Sequence, residues 1–314
     1  MRFRLLIPPG RLLFAATLLL CAAAFGCSTG RTAAPSSGVA AARRGHLLIV
    51  GGGPLPPPVL ARFVELAGGP GRAKIILFPM ASSDPDAGIE MAETFRKLGA
   101  TAERVVMDHA AADTPKGAAR LDGATGVWFG GGDQVKLTDV LAGTRTEAAI
   151  HARYDGGAVI GGTSAGAAVM STPMLTGDER RPGGDRPPPK DSPNAYMTIA
   201  RENVVTIPGF ALLPGAIVDQ HFLRRRRNNR LLSLVLEHPD LVGVGIDEST
   251  ALEVDPNGVW RILGKSVAVV YDARHAAVTS PRAAVLGASE IRMHVLPAGS
   301  QYDPRTGKTK LPGE

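Results

Sequence analysis

Residues 162–166 read Gly162-Thr163-Ser164-Ala165-Gly166, a serine with glycine two positions away on either side. The apolar run Ala158-Val159-Ile160 precedes it, and the helical pattern Ala167-Ala168-Val169-Met170 follows. A serine at the turn from a buried strand into a helix has the sequence form of a nucleophile elbow. Its glycines let the chain turn sharply and keep bulk away from the hydroxyl. The first N–H groups of the helix would then face whatever the serine attacks, a start on an oxyanion site. Taken alone, the pentapeptide describes a plain strand-to-helix turn or a phosphate cradle equally well.

A serine nucleophile needs a base and a group that orients the base. Of seven histidines, His221 lies in the densest polar setting, Asp219-Gln220-His221-Phe222. The apolar Ala216-Ile217-Val218 precedes that motif, and Arg224-Arg225-Arg226-Arg227 and Arg230 follow it. His275 and His294 are the alternative bases, required if the chain followed the serine–acid–histidine order of an α/β-hydrolase. Gly245-Ile246-Asp247-Glu248-Ser249-Thr250 places two acids at a strand end. Either could orient a histidine, and both also read as exposed hairpin acids. Gly130-Gly131-Gly132-Asp133-Gln134 follows another apolar run. It is either a tight turn or a loop whose backbone N–H groups approach an oxyanion while Gln134 meets substrate.

Other chemistries find little support. Gly51-Gly52-Gly53 follows a strand pattern, but Pro56 stands where a dinucleotide fingerprint needs its third glycine. No His-Glu-x-x-His occurs, and the two cysteines, Cys21 and Cys27, both lie near the N-terminus. Neither a metal nor a cofactor is expected.

The elements that would position these residues are legible as a pattern. Apolar runs at 46–50, 75–78, 105–107, 127–129 and 158–160 alternate with helical patterns at 59–66, 89–98, 135–142 and 146–154. That alternation predicts a mostly parallel sheet with helices on both faces, and ligands bind at the strand C-termini of such sheets. Strand candidates at 242–246, 251–254, 259–263 and 267–271 read as a β meander at the far edge. Residues 177–193, rich in Gly, Pro and charge, read as an exposed loop. The arginine segment cannot form one helical face, since Arg225, Arg227 and Arg230 differ by steps of about 200°, 300° and 140°. A loop is therefore expected after His221, with the helix starting near Asn229 and running through Leu236.

The chain has 314 residues, 44% hydrophobic and 20% charged, enough for a sizeable core. Arg2, Arg4 and Arg11 flank a Leu/Ala-rich stretch, and the first 26 residues contain no acid. These are the marks of an export signal. Ala24-Phe25-Gly26-Cys27 is similar to a bacterial lipobox, which makes Cys27 the expected lipidation site and membrane anchor. The expected location is thus exported: periplasmic, outer-membrane or cell-surface. Residues 27–44 would be a tether, 45–298 the folded domain and 299–314 a frayed polar tail. Without the three signal arginines the formal charge falls from +6 to +3, which gives no reason to expect nucleic-acid binding.

Four of these segments, in this order, resemble the cyanophycinase branch of the peptidase E family of serine peptidases. They are 131–134, 162–166, 219–222 with its arginines, and 245–250, and the resemblance covers roughly His46 to Tyr271. It implies a flavodoxin-like, class I glutamine-amidotransferase-type α/β sheet. It also implies a serine exopeptidase that hydrolyses cyanophycin, multi-arginyl-poly-aspartate, to β-Asp-Arg dipeptides. Ser164 would be the nucleophile, His221 its base and Glu248 the orienting acid, with Gly132 and Ala165 as oxyanion donors. Gln134, Asp219, Gln220, Arg225, Arg227 and Arg230 match substrate-pocket positions, and a homodimer is expected. An aspartyl dipeptidase of peptidase E type and a non-catalytic peptide-binding surface lipoprotein are the competing readings.

Overall fold

The computed structural model describes residues 45–181, 192, 194–283 and 285–314. The expected signal, Cys27, the tether and residues 182–191 and 193 of the charged loop lie outside those residues.

The parallel sheet forms where the apolar runs place it. Strands β1 (Leu47–Val50), β2 (Lys74–Phe78), β3 (Thr101–Arg104), β4 (Gly126–Phe129) and β5 (Val159–Thr163) pair in parallel in the order β1-β5-β4-β2-β3. Helices α1 (Pro57–Leu66) and α2 (Ile89–Lys97) cover one face. There Phe63 and Phe95 pack edge-on against Trp128, with ring centroids 5.0 and 5.4 Å away. Short helices α3 (His109–Ala112) and α4 (Pro115–Ala118) precede β4. The longer α5 (Gln134–Leu141) and α6 (Arg145–Asp155) and the single turn α7 (Ala165–Ala168) cover the other face. Strand alternation divides the core accordingly: Leu48 and Val50 join the α1–α2 side, while Leu47 and Ile49 join the opposite side. Caps fix the helix starts, as where Asp133 accepts from the Val135 N–H and Thr144 from the Glu147 N–H.

After α7 the chain adds a hairpin, β6 (Met174–Glu179) with β7 (Val204–Ile207), and then β8 (Ala216–Gln220) and helix α8 (Asn228–Glu237). Strands β9 (Val242–Ile246), β10 (Thr250–Val254), β11 (Trp260–Gly264) and β12 (Val267–Asp272) follow. The two-residue strands β13 (Ala277–Val278) and β14 (Ala288–Ser289) form a ribbon before β15 (Arg292–Pro297), β16 (Gln301–Asp303) and β17 (Lys308–Lys310). The expected meander is instead split between two sheets. β10, β11, β16 and β17 extend the parallel block antiparallel from β1, whereas β9 and β12 lie in a second sheet ordered β15-β12-β9-β8. Val218, Val244 and Ile246 of the second sheet share the core cluster of Ile49, Phe129 and α7. Helix α8 packs on its other side through Leu231, Leu234 and Val235.

Three further expectations are corrected. The third strand is Thr101–Arg104, not 105–107: as an edge strand with one exposed face it takes polar residues, while Val106 is 58% exposed. The 177–193 segment begins as strand, since Gly177–Glu179 belong to β6. The terminal segment is not frayed. Tyr302 pairs with Trp260 across β16 and β11 and is fully buried against its ring.

Candidate active site

Ser164 sits between β5 and α7 with φ 55° and ψ −109°, a costly backbone geometry for a non-glycine residue. Its two glycines make that turn physically available. A Cβ on Gly162 would lie 2.4 Å from the Gly166 carbonyl oxygen, and one on Gly166 would lie 2.3 Å from that of Phe129. The elbow is therefore a place where strand, turn and helix backbones nearly touch, holding the hydroxyl above the end of β5.

His221 arrives from the other sheet, one residue past β8. Its Nε2 lies 2.9 Å from Ser164 Oγ, and its Nδ1 lies 2.6 Å from Glu248 Oε1. Glu248 occupies the turn in which the chain leaves β9 for β10. The imidazole is buried, and that burial pushes its pKa below the ordinary histidine value. The Glu248 hydrogen bond opposes the shift, and the positive charges of Arg225 and Arg227 add to it. The ring is thus neutral at pH 7, the form able to take a proton at Nε2.

The run Gly51–Gly53, set aside as a failed nucleotide loop, is part of this arrangement. The His221 N–H donates to the Gly51 carbonyl at 2.6 Å, and the Ser249 N–H donates to that of Gly52 at 2.9 Å. Gly52 has φ 97°, and a Cβ there would stand 2.4 Å from His221 Nε2. A Cβ on Gly53 would meet the Glu248 side chain at 2.8 Å. Asp247 also contributes: its Oδ1 accepts from the Leu223 and Arg224 N–H groups at 3.1 and 3.0 Å, tying down the turn after His221. The glycine run following a strand was the available signal for the first; only the tertiary fold reveals the second.

A cavity of about 100 Å³ beside Ser164 is lined by Gly132, Asp133, Gln134, Thr176, Gly177, Gln220, Arg225, Arg227 and Arg230. Gly132 has φ 140°, and a Cβ there would lie 2.3 Å from the Ala81 oxygen. The neighbouring Gly131 passes close enough that a Cβ would lie 3.5 Å from that of Ser164. Ala165 begins α7 directly behind the serine.

The segment after His221 is a series of turns, and the helix starts at Asn228, one residue before the expected Asn229. The arginines then divide. Arg224 and Arg226 are exposed; Arg225 is exposed but borders the cavity. Arg227 and Arg230 are buried. Arg227 Nη1 donates to the Gln220 carbonyl and to Gln220 Oε1, both at 2.8 Å. Arg230 forks onto both oxygens of buried Asp219, with Nε to Oδ2 at 2.7 Å. Asp219 also accepts from the Gln220 N–H at 2.8 Å. Asp219, matched to a substrate-pocket position, thus has both carboxylate oxygens engaged by Arg230 of the same chain. Gln134 lines the cavity while its Nε2 donates to the Leu175 carbonyl at 2.6 Å. His275 follows β12 and His294 lies on β15 against Tyr302; neither is the histidine that meets Ser164.

The family model for peptidase family S51 matches residues 47–262, more than half of the chain. The chain belongs to peptidase family S51. That membership makes it a serine-type peptidase. A Synechococcus elongatus protein named cyanophycinase is 35% identical over 260 residues, covering 79% of this chain and 74% of that one. A cyanophycinase of Trichormus variabilis is 33% identical over 254 residues, covering 78% and 79%. A solved peptidase from an acI-B1 Actinobacterium superposes with a TM-score of 0.59 at 20% identity, covering 83% of this S51 chain and 97% of that one. The two share a fold.

Proposed function

We propose that this S51 peptidase hydrolyses cyanophycin to β-Asp-Arg dipeptides, with Ser164 as nucleophile, His221 as general base and Glu248 as its orienting acid. The observation that carries the reading is the hydrogen-bonded run from Ser164 Oγ through the His221 ring to Glu248, beside an arginine-lined cavity. Ser164 Oγ attacks the scissile carbonyl as His221 Nε2 takes its proton. Glu248 holds the Nδ1–H and stabilises the imidazolium that forms. The developing oxyanion is received by the backbone N–H groups of Gly132 and Ala165. His221 then protonates the departing amine, and a water deprotonated by the same ring releases the acyl group from Ser164.

The cationic cavity suits the free arginine carboxylates of cyanophycin, whose aspartate side chains are taken up in isopeptide bonds. Arg225 at its mouth and Arg227 behind offer donors to carboxylates, and Gln134 and Gln220 border the same space. Asp219 acts indirectly by holding the Arg230 fork. The relatives named cyanophycinase support the same substrate. Purified polymer and an α-linked aspartyl dipeptide, offered to one preparation, test the assignment. Release of β-Asp-Arg with little turnover of the dipeptide is expected; the reverse preference would make the enzyme an aspartyl dipeptidase.

An exported enzyme anchored through Cys27 completes the proposal, and acts on polymer released by other cells. Cys27→Ala should shift the protein from the membrane to the soluble fraction. Sedimentation at micromolar concentration tests the homodimer.

A further inference from the structure

A second cavity, of about 530 Å³, opens where β6 ends, and nothing in the triad uses it. Glu179, Arg180, Arg181, Asn194, Thr198 and Asn203 line it. Its lining begins at Glu179, two residues along β6 from Gly177, which borders the Ser164 cavity. Tyr196 lies near a lining residue of each, and its buried hydroxyl has no hydrogen-bond partner among the described residues. The Arg230 guanidinium lies 5.5 Å from its ring centroid, and its hydroxyl is within electrostatic reach of Glu179.

The polar atoms here are unbalanced. Glu179 is 9% exposed and Asn203 2%, yet Glu179 Oε2 and Asn203 Oδ1 are buried with no hydrogen-bond partner among the described residues. The other halves of both side chains are committed: Asn203 Nδ2 donates to the Thr198 carbonyl at 3.1 Å, and Glu179 Oε1 lies 3.5 Å from Arg181 Nε. Arg181 Nη2 is itself taken by the Asn194 carbonyl at 2.8 Å. Two buried acceptors, one of them anionic, call for a ligand rich in N–H donors. A guanidinium has five N–H groups and no acceptor. The exposed Arg180 at the rim, with Arg181, makes the pocket positive around that carboxylate. A bare cation would be repelled there, whereas a ligand that also carries an anion would not.

We propose that this pocket is a second subsite, which takes the isopeptide-linked arginine of a neighbouring polymer unit. Its guanidinium sits on Glu179 and Asn203, and its α-carboxylate faces Arg180. The inference rests on the cyanophycin reading, because in that polymer each arginine is acylated on its α-nitrogen and keeps both a guanidinium and a free carboxylate.

Nα-acetyl-L-arginine carries the same groups and needs no catalysis to be read. Calorimetric titration of the full enzyme should show it binding about tenfold more tightly than Nα-acetyl-L-citrulline, which has the shape without the charge. Glu179→Gln should weaken the arginine ligand by a similar factor and abolish the preference between the two. Equal affinity of the unmodified enzyme for both ligands would overturn the subsite without any variant having to fold. So would a folded Glu179→Gln that keeps the full preference. Binding with the predicted preference by an enzyme that leaves the polymer intact would instead retain the subsite and remove the substrate assignment.

Discussion

Ser164 and His221 meet from two sheets built on different principles. Ser164, the proposed nucleophile, stands on the parallel block, at a turn whose every requirement is local: an apolar strand, two spaced glycines and a short helix. His221 and Glu248, the proposed base and acid, come from the second sheet, after β8 and after β9, and meet Ser164 only once that sheet packs on α7. Ser164 is thus placed by a short sequence, whereas His221 is placed by the docking of two sheets. Gly51–Gly53 is the seam, since it leaves β1 on the nucleophile's sheet and lies against His221 and Glu248 of the other.

The largest effect that could break this comparison is on the base. His221→Ala should lower kcat by about 10⁴-fold or more, in line with triad members elsewhere, while His294→Ala should leave it nearly unchanged. Turnover assays on both variants decide between this chain order and that of an α/β-hydrolase. The seam comes next. Gly52→Ala puts a methyl group against the imidazole and strains a φ of 97°. A ring displaced by about 1 Å should cost about a hundredfold in kcat. Unchanged activity would mean that the two sheets tolerate sliding.

The arginine cluster sharpens the contrast between holding and binding. Asp219→Asn leaves buried Arg230 without its counter-charge, and should destabilise the fold by about 3 kcal/mol, seen as a lower Tm. Arg225→Ala, at the cavity mouth, should leave Tm unchanged and lower kcat/KM by about ten- to a hundredfold. If both variants behaved alike, the distinction between pocket and scaffold would fail.

The smallest expected effect is on pH. The proposed mechanism requires neutral His221, so kcat/KM should fall as pH drops through its folded pKa, which burial holds below 6.5. Arg225 lowers that pKa further, so Arg225→Ala should move the acid limb to higher pH. A pH–rate profile showing no shift, or one to lower pH, would contradict the electrostatic account.

The parallel block was legible because buried strands and amphipathic helices leave different periods in the sequence. Edge elements were not: Thr101–Arg104 has one exposed face and no apolar run, and Val105–Val106 imitates a strand. The division of β9–β12 between sheets was invisible because both halves carry similar apolar runs, and only the short turns at 247–249 and 265–266 carry the chain across and back. Within the site, the turns expected after His221 run to Asn228. The inward course of Arg227 and Arg230 to Gln220 and Asp219 was not legible, because intramolecular pairing depends on which strand lies beneath.

The most direct test compares the enzyme with Ser164→Ala on purified cyanophycin, with products identified by mass spectrometry. The account predicts β-Asp-Arg from the enzyme and a loss of about 10⁴-fold or more in the variant. Release of that dipeptide by Ser164→Ala at the unmodified rate would contradict it.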